Sequence, residues 1–395
     1  MRKTFPAAVS ILILLFTAVV GAQFVTFTEA NFLPSPPQLP HVYIRSDGSI
    51  EPETLPIQKI KNIYTFTENI FNLTLEIQCS NIIIDGAGYT LQGNGSGQGI
   101  YMINATGITV KNLKLQKFAT AISIWKSSNN IITGNNITGN EIGVALHEAK
   151  YNRVEDNIIS LCFHGLLFYS DSDSNRIIGN NITTNNDAGI WCEGTTPTSD
   201  YNSIIGNYIK ENGRFGVLLR SAYNTTVVGN SISQHEWAIY LYGDASRDCL
   251  IAENNIAYNE YGLGFFSQYK SEIYHNNFLN NTHQVESISI EKASEACVWD
   301  DGYPSGGNYW SNYRGTDADG DGIYDAIYII DENNRDNYPL VAPFEVDNNS
   351  VVLPPPESFP TILVAAALVL VAVVGLGFLF YFKRSRNKNN RAGNV

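Results

Sequence analysis

Between residues 120 and 266 the chain repeats one short pattern of apolar and polar positions. A small residue comes first: Ala121, Gly143, Gly165, Gly189, Gly216, Ala238 and Gly262. The first and third residues after it are Ile122/Ile124, Val144/Leu146, Leu166/Phe168, Ile190/Cys192, Val217/Leu219, Ile239/Leu241 and Leu263/Phe265. Every one is apolar. Alternation of period two marks a strand with one buried face. The strand recurs with a unit close to N-x-x-x-G-N-x-I-x-x-N. Its anchors are Leu113, Asn135, Asn157, Asn180, Asn207, Asn230, Asn254 and Asn276, spaced by 22, 22, 23, 27, 23, 24 and 22 residues. Periods of this size signal a solenoid. No leucine framework or helical stretch points to a leucine-rich repeat, so the strands stack about 4.8 Å apart as a parallel β-helix. The crossover preference makes it right-handed. The expected fold is all-β: a right-handed single-stranded parallel β-helix of about nine to ten coils over residues 61–297, with one C-terminal transmembrane helix.

A second Asn recurs five residues after the anchor, at Asn140, Asn185, Asn212, Asn259 and Asn281. Asn tolerates left-handed backbone, and stacked amides bond along a column. These residues are read as a structural ladder. Asn81 to Leu91 reads as a less regular first coil, and the Pro-rich residues 23–60 as a cap over its open edge.

The outward positions of the strand are unusual. One column holds Ser123, Ala145, Leu167, Trp191, Leu218, Tyr240 and Gly264; the next holds Trp125, His147, Tyr169, Glu193, Arg220, Tyr242 and Phe266. Both are expected to face solvent. Aromatic side chains replace the usual Thr, Ser, Lys and Glu, and an exposed aromatic stripe marks a contact site. Trp125, His147, Tyr169, Trp191, Glu193, Arg220, Tyr240, Tyr242 and Phe266 are therefore candidate ligand-binding residues. Flat rings with a few polar groups suit sugars. Stacking of neighbours on one another is the competing role. Glu193 and Arg220 lie on adjacent coils and should pair. An insertion at residues 194–200 supplies a wall beside them. Glycoside cleavage needs two facing carboxylates; Glu193 with Asp200 or Glu148 is not forced into that geometry, and no catalytic residue is assigned.

Residues 298–344 break the repeat. Asp317, Asp319, Asp321, Gly322 and Asp325 form D-x-D-x-D-G-x-x-D. Alternate carboxylates in a tight loop suit Ca²⁺, with the Ile323 carbonyl as a further ligand. Position twelve would be Tyr328, so the loop is not a full EF-hand.

The ends set location. Arg2 and Lys3 precede an apolar run from Ala7 to Val20 and the small residues Gly21 and Ala22, the pattern of a signal peptide over 1–22. A Pro-rich spacer, 345–358, leads to a transmembrane segment, 359–382. Within it Thr361 to Phe382 is uncharged for 22 residues, long enough to cross about 30 Å of hydrocarbon. The basic tail 383–395 belongs on the cytoplasmic side, leaving the bulk extracellular on a single-pass anchor. The chain has a formal charge of −13, and its ends hold only basic residues. The remainder is more acidic still, which excludes nucleic acid as a partner. Five cysteines without regular spacing read as buried small residues rather than a disulfide framework.

The G-N-x-I coils, followed by Asn308 to Tyr313 and Asp317 to Asp325, resemble the NosD-type β-helix proteins over roughly residues 60–340. These belong to a wider, pectin-lyase-like group of carbohydrate-binding and sugar-hydrolase β-helices. Membrane-anchored forms are similar to archaeal surface proteins. The resemblance implies a periplasmic copper-binding role in maturing nitrous oxide reductase. Soft copper sites want Met, Cys and clustered His; the two Met and six scattered His argue against copper. The sequence favours a surface β-helix that binds glycan or another cell-envelope polymer. A copper-maturation factor, a polysaccharide lyase or hydrolase, and a purely structural surface protein are the alternatives.

Overall fold

A computed structural model describes residues 38–346 except 170, 195–198, 244–245, 266–269 and 288–295. The expected signal peptide and transmembrane segment lie outside these residues, as does Phe266. Among the described residues there is no helix, and hence none long and apolar enough to cross a membrane.

The apolar pairs do what their alternation requires. Strands Thr120–Trp125, Ile142–His147, His164–Phe168, Ala188–Glu193, Phe215–Arg220, Trp237–Tyr242 and Tyr261–Phe265 lie side by side, all parallel. Ile122 registers with Val144, Val144 with Leu166, Leu166 with Ile190, and so on to Leu263. Both apolar positions point inward and are buried throughout. The small residue before them is needed because the next coil comes close. A Cβ on Gly165 would sit 2.5 Å from the Gly189 carbonyl oxygen. Each coil contributes two further short strands, so three sheets of twelve, eleven and eleven strands enclose one core. The whole is a parallel β-solenoid of about 9 turns. We call the sheet built from the six-residue strands the broad sheet.

The turns are held by asparagine. Asn157 shows the pattern. Its Oδ1 accepts from the Asn135 backbone N–H and side-chain amide, each at 3.0 Å. Its own amide donates to Asn180 Oδ1 at 3.0 Å and to the Ile132 carbonyl at 2.8 Å. The column runs on through Asn180, Asn207, Asn230, Asn254 and Asn276 to Asn308. The second expected ladder is also present. His235 replaces Asn in it, with Nε2 accepting from Asn212 and Nδ1–H donating to Asn259. A third ladder, not anticipated, joins Asn130, Asn152, Asn175 and Asn202. The residue before each anchor sits at positive φ. It is Gly134, Gly179, Gly206 and Gly229 on four coils, and Asn112, Asp156, Glu253 and His275 on the other four.

Both ends are closed. At the N-terminal end Ile50–Glu51 runs antiparallel to His41–Ile44, and Ile57–Ile60 antiparallel to Ile63–Phe66. At the other, Tyr309–Trp310 adds a strand beside Asn277–Leu279. The Trp310 ring stacks on Phe278 at 4.5 Å and on Tyr328 at 4.2 Å. Asp336 holds this plug by accepting from the Asn308 and Tyr338 backbone N–H groups and from Trp310 Nε1. Burial pushes its carboxyl up to about 6 against those three donors. Cys162, Cys192 and Cys249 are buried, and burial raises all three thiols. They act as small apolar residues.

Candidate functional site

The outer face of the broad sheet carries three columns, not two. The two expected columns are joined by the residues just before each small position: Thr120, Ile142, His164, Ala188, Phe215, Trp237, Tyr261 and His283. This third column precedes the small residue that opens the period-two pattern, and its aromatic composition is readable in the sequence.

The middle column departs from expectation. Ser123, Ala145, Leu167, Leu218 and Tyr240 point away from the core yet are only 4%, 1%, 5%, 4% and 9% exposed. Larger side chains on either side shelter them. The Trp237 ring lies over Gly264, where it would collide with a Cβ. Tyr240 packs against Trp237 at 4.7 Å and Phe215 at 5.8 Å. Burial lifts its hydroxyl to about 12. Tyr240 is thus part of a small outer core with Phe215, Leu218 and Trp237.

The column of Trp125, His147 and Tyr169 is wetter, as are Tyr261 and His283 on the other flank, but these rings stack. Trp125 lies on His147 at 4.8 Å, and His147 on Tyr169 at 3.9 Å with 12° between planes. Burial pushes the His147 imidazole down to about 4. On the opposite flank Trp237, Tyr261 and His283 stack at 4.0 Å and 4.9 Å. Inner ring faces are consumed by these stacks, leaving edges and the outer face of Trp125, which is 36% exposed.

Between the stacks the face turns polar. Arg220 donates to Glu193 at 2.9 Å, as expected, and its guanidinium lies 5.5 Å from the Tyr242 ring centre. One coil back, His164 and Trp191 meet edge to face at 4.9 Å. His164 Nδ1 and Trp191 Nε1 are buried without a hydrogen-bond partner. The nearest carboxylate, Asp187 Oδ2, is 3.6 Å from His164 Nδ1. That is beyond hydrogen-bond length. His164 and Asp187 were not among the residues singled out from sequence.

Charge on the face is lopsided. From Thr120 onward, the strands and their described flanking residues hold three cations and seven carboxylates. Each cation is paired: Lys126 with Glu148, Arg214 with Glu236, and Arg220 with Glu193. Glu141, Glu260 and Glu286 have no cationic partner among the described residues.

In the C-terminal loop the carboxylate oxygens of Asp317, Asp319 and Asp321 lie within 4.8 Å of one another. Asp317 accepts from the Gly320, Asp321 and Gly322 N–H groups. Asp325 accepts from Ala318 and stands outside the trio, and Ile323 is buried with its N–H on Asp321.

A parallel β-solenoid with stacked outward rings and asparagine-filled turns is the class defined here. The chain belongs to the NosD family, described as periplasmic copper-binding proteins, whose pattern matches residues 79–248 and 195–315. No curated protein matches it. Solved structures of similar shape include the A-module of mannuronan C-5 epimerase AlgE4 from Azotobacter vinelandii. It is 12% identical, with 65% of this chain and 88% of that one covered at a TM-score of 0.41. The periplasmic alginate epimerase AlgG is 11% identical over 65% and 83%, at 0.43. An alginate lyase from Paenibacillus sp. is 11% identical over 60% and 90%, at 0.40.

The family's description implies copper, and the described residues do not fit it. Their one convergent group of three His, Cys, Asp or Glu is the aspartate trio, which offers hard oxygen donors. Both ring nitrogens of His235 are occupied by the ladder, and Met102 is fully buried.

Proposed function

We propose that this protein is a membrane-anchored extracellular β-helix that binds a glycan or another cell-envelope polymer on the outer face of its broad sheet. One observation carries the reading. The face combines half-exposed rings with polar side chains on successive coils, where a solvated strand needs only the polar ones. The stacks change how it acts. Rings packed at 3.9–4.8 Å present a fixed wall, and contact falls on their edges and on Trp125. The anchor is residues 359–382, with the basic tail inside. The aspartate trio holds a structural Ca²⁺, whose ligands are oxygens of one loop.

A glycan array probed with the intact, detergent-solubilised chain tests this. Binding to at least one envelope polymer, weakened by Trp125→Ala, is expected. No binding to any polymer defeats the proposal. Metal analysis of Asp319→Ala checks the loop; unchanged Ca²⁺ content rejects it.

A further inference from the structure

Glycan binding on the broad sheet leaves the sugar class open, and the centre of the face narrows it. We infer that the His164–Asp187–Trp191 cluster is the hydrogen-bonding subsite, and that it takes a non-acidic sugar, neutral or amino-bearing, and rejects uronates. This rests on the proposed glycan-binding role and goes beyond it in naming a site and a chemistry.

The first argument is hydrogen bonding. A buried polar atom without a partner costs about 1–3 kcal/mol, and such exceptions ask for an explanation. Here two fall together, on adjacent coils: His164 Nδ1 and Trp191 Nε1. The indole N–H only donates. His164 Nδ1 donates or accepts according to its tautomer, but Asp187 Oδ2, 3.6 Å from it, only accepts. The complementary group must therefore accept from the indole while donating to the imidazole or carboxylate. A sugar hydroxyl does both, and an amine adds donors toward Asp187. A uronate carboxylate can accept from Trp191 but has nothing to give Asp187, whose like charge repels it.

The second argument is charge, and it is independent of the first. All three cations of the face are already paired, so none is left for a polymer carboxylate. The unbalanced acids repel a polyanion along the sheet from Thr120 onward, an effect water weakens but does not abolish.

The subsite is covered but not locked. The ring leaning on His164 is Phe163, 4.6 Å away and 47% exposed. Exposed side chains change rotamer in picoseconds to nanoseconds, so Phe163 can swing clear without moving the coil.

The test compares three soluble hexamers on the intact chain by calorimetry: a neutral hexose chain, its amino-sugar counterpart and a uronate chain. The neutral or amino hexamer should bind and the uronate should not. Trp191→Phe, which keeps the ring and removes the N–H, should weaken binding about tenfold, as expected for loss of one buried hydrogen bond. Asp187→Asn should narrow the preference against uronate. Tyr258→Ala, on another corner and 65% exposed, should change nothing. Binding of the uronate alone overturns this inference and leaves the glycan-binding role standing. Unaltered affinity in both Trp191→Phe and Asp187→Asn overturns the subsite. Failure of all three hexamers together with an empty glycan array defeats the glycan-binding role itself.

Discussion

The asparagine corners and the outer face of the broad sheet are built from the same repeat, and they treat polar atoms in opposite ways. At the corners the asparagine rungs are satisfied: Asn180 Oδ1 accepts two hydrogen bonds, and its two amide hydrogens are shared among three acceptors. On the face, His164 Nδ1 and Trp191 Nε1 are buried with no partner. Among the described residues, burial without satisfaction clusters on the face, as two atoms on adjacent coils; at the corners it falls on Thr225 Oγ1, where threonine takes the ladder position that follows Asn202. The difference separates what holds the coil together from what is left over for a ligand.

Breaking the corner should have the largest effect. Asn180→Ala strands the Asn157 amide and the Val154 carbonyl, and urea unfolding should show a loss of about 4 kcal/mol, several unmade bonds at about 1–3 kcal/mol each. A loss below about 1 kcal/mol would show that the ladders are not structural. The His235 rung comes next. Burial holds its imidazole down to about 4, below the ordinary 6.5. The unfolded chain therefore takes up the proton first on acidification. Stability is full above pH 6.5, drains as pH falls toward 4, and levels off beneath it. The drop is on the order of 3 kcal/mol. His235→Asn, using the residue type of its neighbours Asn212 and Asn259, should flatten that limb of the stability–pH curve. On the face the order reverses, with small stability effects and large binding effects. Trp125→Ala should cost about 1 kcal/mol or less in unfolding, since its ring is partly exposed, yet reduce glycan binding about tenfold. Arg220→Ala should be smallest: the Glu193 pair is solvent-accessible and contributes about 0–1 kcal/mol. A larger loss there would move Arg220 from the face to the framework.

The coil was readable from sequence because its determinants are local. Ile122, Val144 and Leu166 occupy equivalent positions of a period-two strand, and their register follows from the spacing of the anchors. The ladder through Asn135 and Asn157 was readable for the same reason. The covering of Tyr240 was not, because it depends on Phe215 and Trp237 leaning in from neighbouring coils, and pattern alone does not report tilt. The plug was equally opaque. Trp310 reaches Asp336 across 26 residues that carry no repeat, and only the folded chain brings them together. The His164–Asp187 approach spans two coils at positions that the repeat leaves variable.

The antiparallel strands at the N-terminal end have a consequence for length. A stack of parallel strands is a growing template, and an identical chain could extend it without limit. Here His41–Ile44 is met by Ile50–Glu51 running the other way, and Ile63–Phe66 by Ile57–Ile60. An incoming coil finds reversed polarity on two of its three sides. The Trp310 plug closes the far end. The number of turns is therefore written in the gene, and the solenoid has a fixed length instead of being the seed of a fibre.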